Sequence, residues 1–358
     1  MTHRALHGLC CVVAALLGCY SSFEPPQSGE LIAEDAAVMV VDPSDRCAAS
    51  DARDPLVPRD GETCYELIAH NGGWEGDPLE VLQDEHIDQL YYGIPWPEGS
   101  VATRFGAQQD DRTSLHRWLL FESNSGTPGL VERNAFGVPF STDATLIAGW
   151  SVGGCNVELP SDMGIELASP SSGKTLMVQW HYLNLTGENQ HDASRIQICV
   201  VPRSERRHVG SITILGTEDV GGVDGMPVGV ESTYAGTCLN RTAEPITIVA
   251  LWPHMHLLGT GAHAELIASD GTATSVFDKP FRHDENVHYA MTPQLVVAPG
   301  ERLRTSCTYF NSSPQVVRYG ISVLQETCYQ LAFSYPAGAL DKPMLYGLIG
   351  ATNICWGD

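Results

Sequence analysis

The sequence predicts an all-β protein of sandwich type, and three observations predict it. From about residue 61 the chain becomes a series of short apolar runs, many carrying Val, Ile, Thr, Trp and Tyr. Gly, Pro, Asn and Asp punctuate them, as expected of strands joined by turns. No segment carries a long helical period.

In the first half the strand-like runs are Leu115 to Phe121, Leu146 to Trp150, Lys174 to Leu183 and Arg195 to Val201. In the second they are Ser211 to Leu215, Ile246 to Trp252, His263 to Ala268, Leu295 to Val297 and Tyr329 to Ser334. Between the halves lies a polar, basic stretch, Pro202-Arg203-Ser204-Glu205-Arg206-Arg207-His208. It reads as a solvated linker and divides residues 61–204 from 205–358. At 358 residues the chain has length for about two ordinary domains.

The segment before residue 61 has a different character. Met1-Thr2-His3-Arg4 is polar and basic, and Leu9 to Leu17 is apolar but too short to span a bilayer. Leu16-Leu17-Gly18-Cys19 then resembles a bacterial lipoprotein cleavage box, which implies lipidation at Cys19 and an export signal over residues 1–19. An ordinary signal peptide is the alternative, because Leu17 is bulkier than the usual residue there. Residues 20–60 are rich in Pro, Ser, Asp and Ala and read as a flexible tether. The expected location is the bacterial cell envelope, anchored to the membrane through lipid, or outside the cell.

Charge narrows the partners. The formal net charge of −23 argues against nucleic acid, because phosphate binding needs a basic patch. Beyond Cys10, Cys11 and Cys19 there remain Cys47, Cys64, Cys155, Cys199, Cys238, Cys307, Cys328 and Cys355, an even set in an exported chain, so disulfides are expected. No Cys-x-x-Cys occurs among them, which excludes a zinc ribbon or a thioredoxin-like redox site. Gly-x-Ser-x-Gly, His-Glu-x-x-His and Gly-x-x-x-x-Gly-Lys are also absent.

The candidate chemistry lies in histidines. Trp252-Pro253-His254-Met255-His256-Leu257-Leu258-Gly259 follows the β-branched run Ile246-Thr247-Ile248-Val249. In extended chain His254 and His256 share a face, a common way to hold a borderline metal with imidazole, while Met255 points away. A bare His-x-His is as often two surface histidines at a strand end. His181, in Met177-Val178-Gln179-Trp180-His181-Tyr182, and His116, in Leu115-His116-Arg117-Trp118-Leu119, lie in strongly apolar strands. Such a histidine is more often a hydrogen-bonded core residue than a ligand. On a regular strand Arg117 would face away from His116.

Together these segments resemble the copper type II, ascorbate-dependent monooxygenases, the family of peptidylglycine amidating monooxygenase and dopamine β-monooxygenase. The resemblance covers about residues 61–358. In the first domain His116-Arg117-Trp118-Leu119 stands where the family has a His-His pair, and His181-Tyr182 matches its third ligand. Leu146 to Trp150 and Leu159-Pro160-Ser161-Asp162-Met163-Gly164 also look like family segments. In the second domain Pro253 to Gly259 match Pro-His-x-His-x-Leu-Gly, and Pro299-Gly300-Glu301 precedes Cys307. Gln325-Glu326-Thr327-Cys328 stands where the family has Asp-Glu-Met-Cys.

The resemblance implies two consecutive jelly-roll-like β-sandwich domains, each holding one copper: His116 and His181 in the first, His254 and His256 in the second. It implies Cys307–Cys328 and Cys238–Cys355 bridges, with Cys64–Cys199 and Cys47–Cys155 by remainder. The implied reaction hydroxylates a C–H bond of a small-molecule substrate, using O₂ and a one-electron donor such as ascorbate.

Two positions depart from the pattern. Arg117 replaces a histidine, and a guanidinium has no lone pair for a metal. Thr327 replaces the soft methionine, and a hydroxyl is a poor ligand for Cu(I). His70, His86, His283 or His288 could substitute, and nothing in the spacing shows which. Trp252 and Leu331 stand where amidating members anchor a peptide carboxylate, so a glycine-extended peptide is not the expected substrate. The alternative is a non-catalytic copper-binding or ligand-binding envelope lipoprotein on the same scaffold.

Overall fold

The computed structural model describes residues 54–71, 77–133, 144–341 and 353–355, all within one compact unit, Pro43–Asp358. Cys19, Cys47 and most of residues 1–60 lie outside the described residues, as do the expected signal, lipidation site and most of the tether. The described end of that tether is held down: the Leu56 N–H donates to Gln197 at 2.6 Å, and Arg104 donates to the Val57 carbonyl at 2.8 Å.

The described residues contain no α-helix; the strands follow in chain order. The first half contributes β1 (Thr63–Ile68), β2 (Leu79–Val81), β3 (Asp84–Tyr92), β4 (Ser100–Gln108), β5 (Leu115–Ser123) and β6 (Val131–Glu132). It continues with β7 (Ala144–Ser151), β8 (Val157–Glu158), β9 (Met163–Glu166), β10 (Thr175–Asn184), β11 (Gln190–Asp192) and β12 (Arg195–Pro202). The second half contributes β13 (His208–Thr217), β14 (Glu231–Leu239), β15 (Ile246–His254), β16 (Gly259–Ile267) and β17 (Ala273–Pro280). It ends with β18 (Tyr289–Val297), β19 (Arg302–Phe310), β20 (Cys328–Tyr335) and β21 (Ile354–Cys355). The protein is therefore all-β, with its sheets in a sandwich-like arrangement.

One long sheet runs through both halves in the order β1-β12-β4-β9-β13-β20-β15-β18, with β8 added to β4 and β21 to β13. The halves join where β9 and β13 pair in parallel, Met163 to Ile165 beside His208 to Gly210. The first half adds the sheet β6-β3-β10-β5-β7, and the second adds β14-β19-β16-β17.

The strands β13, β15 and β20 are buried on both faces. Ile248 and Leu251 of β15, Leu215 of β13 and Ala332 of β20 pack into the second half's own core. The alternate residues Val249 and Trp252, Ile212 and Ile214, and Leu331 and Phe333 join the core of the first half. Double burial explains why Ile246 to Trp252 reads as an unbroken apolar run instead of an alternating one. A fully buried Trp252 contributes about 2–3 kcal/mol from apolar area. The two halves thus meet through packed core, and the histidine-bearing strand ends sit along that contact.

Among the described residues three disulfides fasten the frame: Cys64–Cys199 joins β1 to β12, Cys238–Cys355 joins β14 to β21, and Cys307–Cys328 joins β19 to β20. The last two cross between the sheets of the second half. Cys155 is also disulfide-bonded.

Candidate metal centre

The site begins with a break in strand regularity. Between His181 and Tyr182 the pairing of β10 with β5 shifts: His181 lies opposite Arg117, and Tyr182 opposite Leu115. His116 is therefore the extra residue of a bulge. A bulge turns neighbouring side chains toward one side, so the alternation expected of a regular strand does not hold here. His116 reaches His181, and Arg117 reaches His254 of the second half.

Five imidazoles and one guanidinium gather at the contact between the halves. His116 Nδ1 lies 3.3 Å from His181 Nδ1, with ring centroids 4.9 Å apart. His116 Nε2 lies 2.9 Å from His283 Nε2, and those rings stack at 5.0 Å. The rings of His254 and His256 are 5.5 Å apart, and His256 lies 6.2 Å from His116. Sequence reasoning left His283 among four candidates; only the fold brings the Arg282–Asp284 loop over His116. Of the others, His70 meets Tyr92 edge-on, His86 stacks on Tyr182, and His288 stacks on Trp252.

The partners fix several protons. His181 Nε2 lies 2.8 Å from Glu85 Oε1, so it carries the hydrogen and leaves the Nδ1 lone pair facing His116. Glu85 also accepts from the Val323 N–H at 2.7 Å and from the Ser322 hydroxyl at 2.5 Å. His256 Nδ1 donates to the Gln325 carbonyl at 2.9 Å, which leaves its buried Nε2 as an unpartnered acceptor. Arg117 Nη1 donates to His254 Nε2 at 3.0 Å, and the opposite nitrogen, Nδ1, is buried without a partner.

Electrostatics keeps the imidazoles neutral. Burial, reinforced by neighbouring imidazoles and Arg117, holds His116 well below its usual range. Burial and then Arg117 do the same to His254. Burial pulls His181 down to about 4 against the opposing pull of Glu85, and burial with Arg117 brings His256 to about 3. Burial would raise Glu85, but its bonds to His181, Ser322 and Val323 hold it below the usual carboxylate range. Burial lowers Arg117 only to about 10, so the guanidinium stays charged at neutral pH.

Neutral imidazole is the form that binds a transition metal. Two nitrogens on one ion at ~2.0–2.1 Å lie roughly 2.9–3.4 Å apart, depending on the angle between them. The His116–His181 pair fits that spacing, and the Glu85 carboxylate behind His181 is the support a ligating histidine commonly has. His181 and His283 approach opposite nitrogens of His116, so these three rings do not converge on one point.

The His254–His256 pair fits an ion poorly. The His254 Nε2 lone pair is engaged by a cation, and Thr327 offers only a buried, unpartnered hydroxyl. Arg117, His254, Thr327, Tyr329, Trp252 and Leu331 border a cavity of about 20 Å³, room for little more than a water. Elsewhere Glu62, Cys64 and Cys199 lie close together, but the disulfide leaves no thiolate for a metal.

Comparison with known proteins gives the geometry a context. The C-terminal domain of copper type II ascorbate-dependent monooxygenases matches residues 212–342. DBH-like monooxygenase protein 2 of Mus musculus is 26% identical over 260 residues, covering 68% of this chain and 42% of that protein. Dopamine beta-hydroxylase of Bos taurus is 25% identical over 206 residues, covering 55% of this chain and 33% of that protein. These matches thus span less than half of either relative. Among solved structures, PNGase F from Flavobacterium meningosepticum is 9% identical with a TM-score of 0.31, over 76% of this chain and 94% of that one, too low to carry an argument.

Proposed function

We propose, from the premise that this chain belongs to the copper type II ascorbate-dependent monooxygenase family, that it is a copper-dependent oxidoreductase of the monooxygenase type. Its copper is held by His116 and His181. The observation that carries this is the facing of the two Nδ1 atoms at 3.3 Å, with the far nitrogen of His181 tied to Glu85.

When bound, copper supplies one-electron chemistry with a donor such as ascorbate, and the relatives' names point to insertion of oxygen into a C–H bond of a small molecule. The chain's own residues bind and orient. Glu85 fixes the His181 tautomer. His116 presents Nδ1 when its proton sits on Nε2, from where it is donated in a hydrogen bond to His283 Nε2 at 2.9 Å. Leu119, Trp252 and Leu331 give the neighbouring cavity beside Arg117 and His254 an apolar lining. The expected setting is the cell envelope.

A second reading is favoured by one contact, Arg117 on His254: a copper-binding protein of the envelope that turns nothing over. Copper titration followed by ascorbate reduction and oxygen-electrode measurements separates the readings. Ascorbate-driven oxygen uptake that requires His116 and His181 supports the oxidoreductase. A bound copper that is reduced without oxygen uptake leaves the binder. No copper bound at all sinks both.

A further inference from the structure

We infer that the Arg117 guanidinium occupies the second metal position of this chain, so that His254 and His256 adjoin a fixed organic cation and the protein takes one copper instead of two. The count of one rests on the proposed His116–His181 centre; the occupation of His254 does not.

Four observations converge. The Nε2 lone pair of His254 is the donor that a His-x-His motif would give an ion, and it accepts from Arg117 Nη1 at 3.0 Å. A guanidinium only donates, so the contact fixes which partner supplies the positive charge. Second, the β5 bulge delivers Arg117 there, and the residue is only 5% exposed. A buried cation ordinarily meets a carboxylate; this one meets a neutral imidazole.

Third, the hydroxyl of Thr327 borders the same cavity without a hydrogen-bond partner, so a hard, weak donor faces the place where a soft ligand would be wanted. Fourth, the His256 Nε2 lone pair is buried and unpartnered, on a ring 5.5 Å from that of His254. A dication at His254 Nε2 would share that nitrogen's lone pair with Arg117 and repel its charge at contact distance in a dry site. Arg117 and a second ion are therefore mutually exclusive. The two changes in sequence, histidine to arginine in one half and methionine to threonine in the other, then become one structural event, because both side chains border the same space.

The test is copper stoichiometry of the full chain by equilibrium dialysis, with electron paramagnetic resonance of the bound Cu(II). The parent protein is expected to show no His254-dependent copper: His254→Ala leaves its stoichiometry unchanged. The double variant Arg117→Ala with Thr327→Met is expected to gain one equivalent and a second Cu(II) signal, both removed again by His254→Ala. A parent that already binds a His254-dependent equivalent overturns the inference. So does a double variant that retains the parent's circular dichroism and melting behaviour yet gains no copper. A parent that binds no copper while the double variant gains its His254-dependent equivalent sinks the His116–His181 proposal and leaves Arg117 in place.

Discussion

Glu85 accepts from His181 Nε2 with one oxygen at 2.8 Å and from the Ser322 hydroxyl with the other at 2.5 Å. One carboxylate thus fixes a tautomer in the first half and grips a loop of the second. Removing its charge should weaken the metal centre without deleting a ligand. Glu85→Gln is expected to lower copper affinity 10–100-fold, the usual effect of losing a ligand's hydrogen-bonded support. Competition against a chelator of known affinity measures this. An unchanged affinity would show that His181 does not bind through Nδ1.

His283 extends the same chain of contacts on the far side of His116. The 2.9 Å approach of the two Nε2 atoms needs one hydrogen between them, and metal binding at His116 Nδ1 requires that hydrogen to reside on His116. His283→Ala should therefore reduce copper affinity about tenfold. His283→Asn, which keeps an acceptor, should recover part of the loss. Equal losses in both variants would make His283 a packing residue only.

Much of this was legible in the sequence, and the part that was not has physical causes. The strand runs and the His-x-His motif are visible as residue types at set spacings, while the mates of Cys307 and Cys238 and the departures at Arg117 and Thr327 follow from the family resemblance. His283 carried no signal, because Arg282-His283-Asp284 is an ordinary polar loop whose position depends on how the halves pack. The direction of Arg117 is hidden in the sequence for a similar reason. A one-residue bulge changes which side a strand residue faces, and no composition marks it. Glu85 carries no signal because the Asp84-Glu85 pair at the start of β3 looks like solvent-facing charge.

Acid should unfold the metal-free protein through its histidines. His181 titrates in the folded chain near about 4 and His256 near about 3, below the ordinary histidine value of roughly 6.5. Between those values the unfolded chain binds more protons, so the stability contributed by these histidines is complete above roughly pH 6.5 and is lost as pH falls toward 4 and below. His288 behaves likewise, at about 3, through burial alone. Melting temperatures should fall steeply from pH 6.5 to 4. His288→Phe, which keeps the stack on Trp252 but removes two unpartnered nitrogens, should melt a few degrees higher than the parent at pH 5. Bound copper should delay the fall by competing with protons for His116 and His181. A flat profile through this range would mean that the cluster opens to water.

Gly149 sets how closely the two halves approach. A Cβ there would lie 2.8 Å from Leu119 Cδ2 and 2.9 Å from Trp252 Cζ3, closer than packed carbons allow. Leu119 belongs to β5, just beyond the bulge, and Trp252 to β15, two residues before His254, so relief of the clash must move the walls of the centre. Gly149→Ala is expected to destabilise the fold by ~1–3 kcal/mol through overpacking, read as a lower urea midpoint at constant slope. Trp252→Leu alone should also destabilise by leaving a cavity. Combined with Gly149→Ala it should cost less than the sum of the two, because the added methyl then enters vacated space. Strict additivity in that cycle would mean that Gly149 and Trp252 do not share a contact, and that the halves are held at this distance by something other than their packed core.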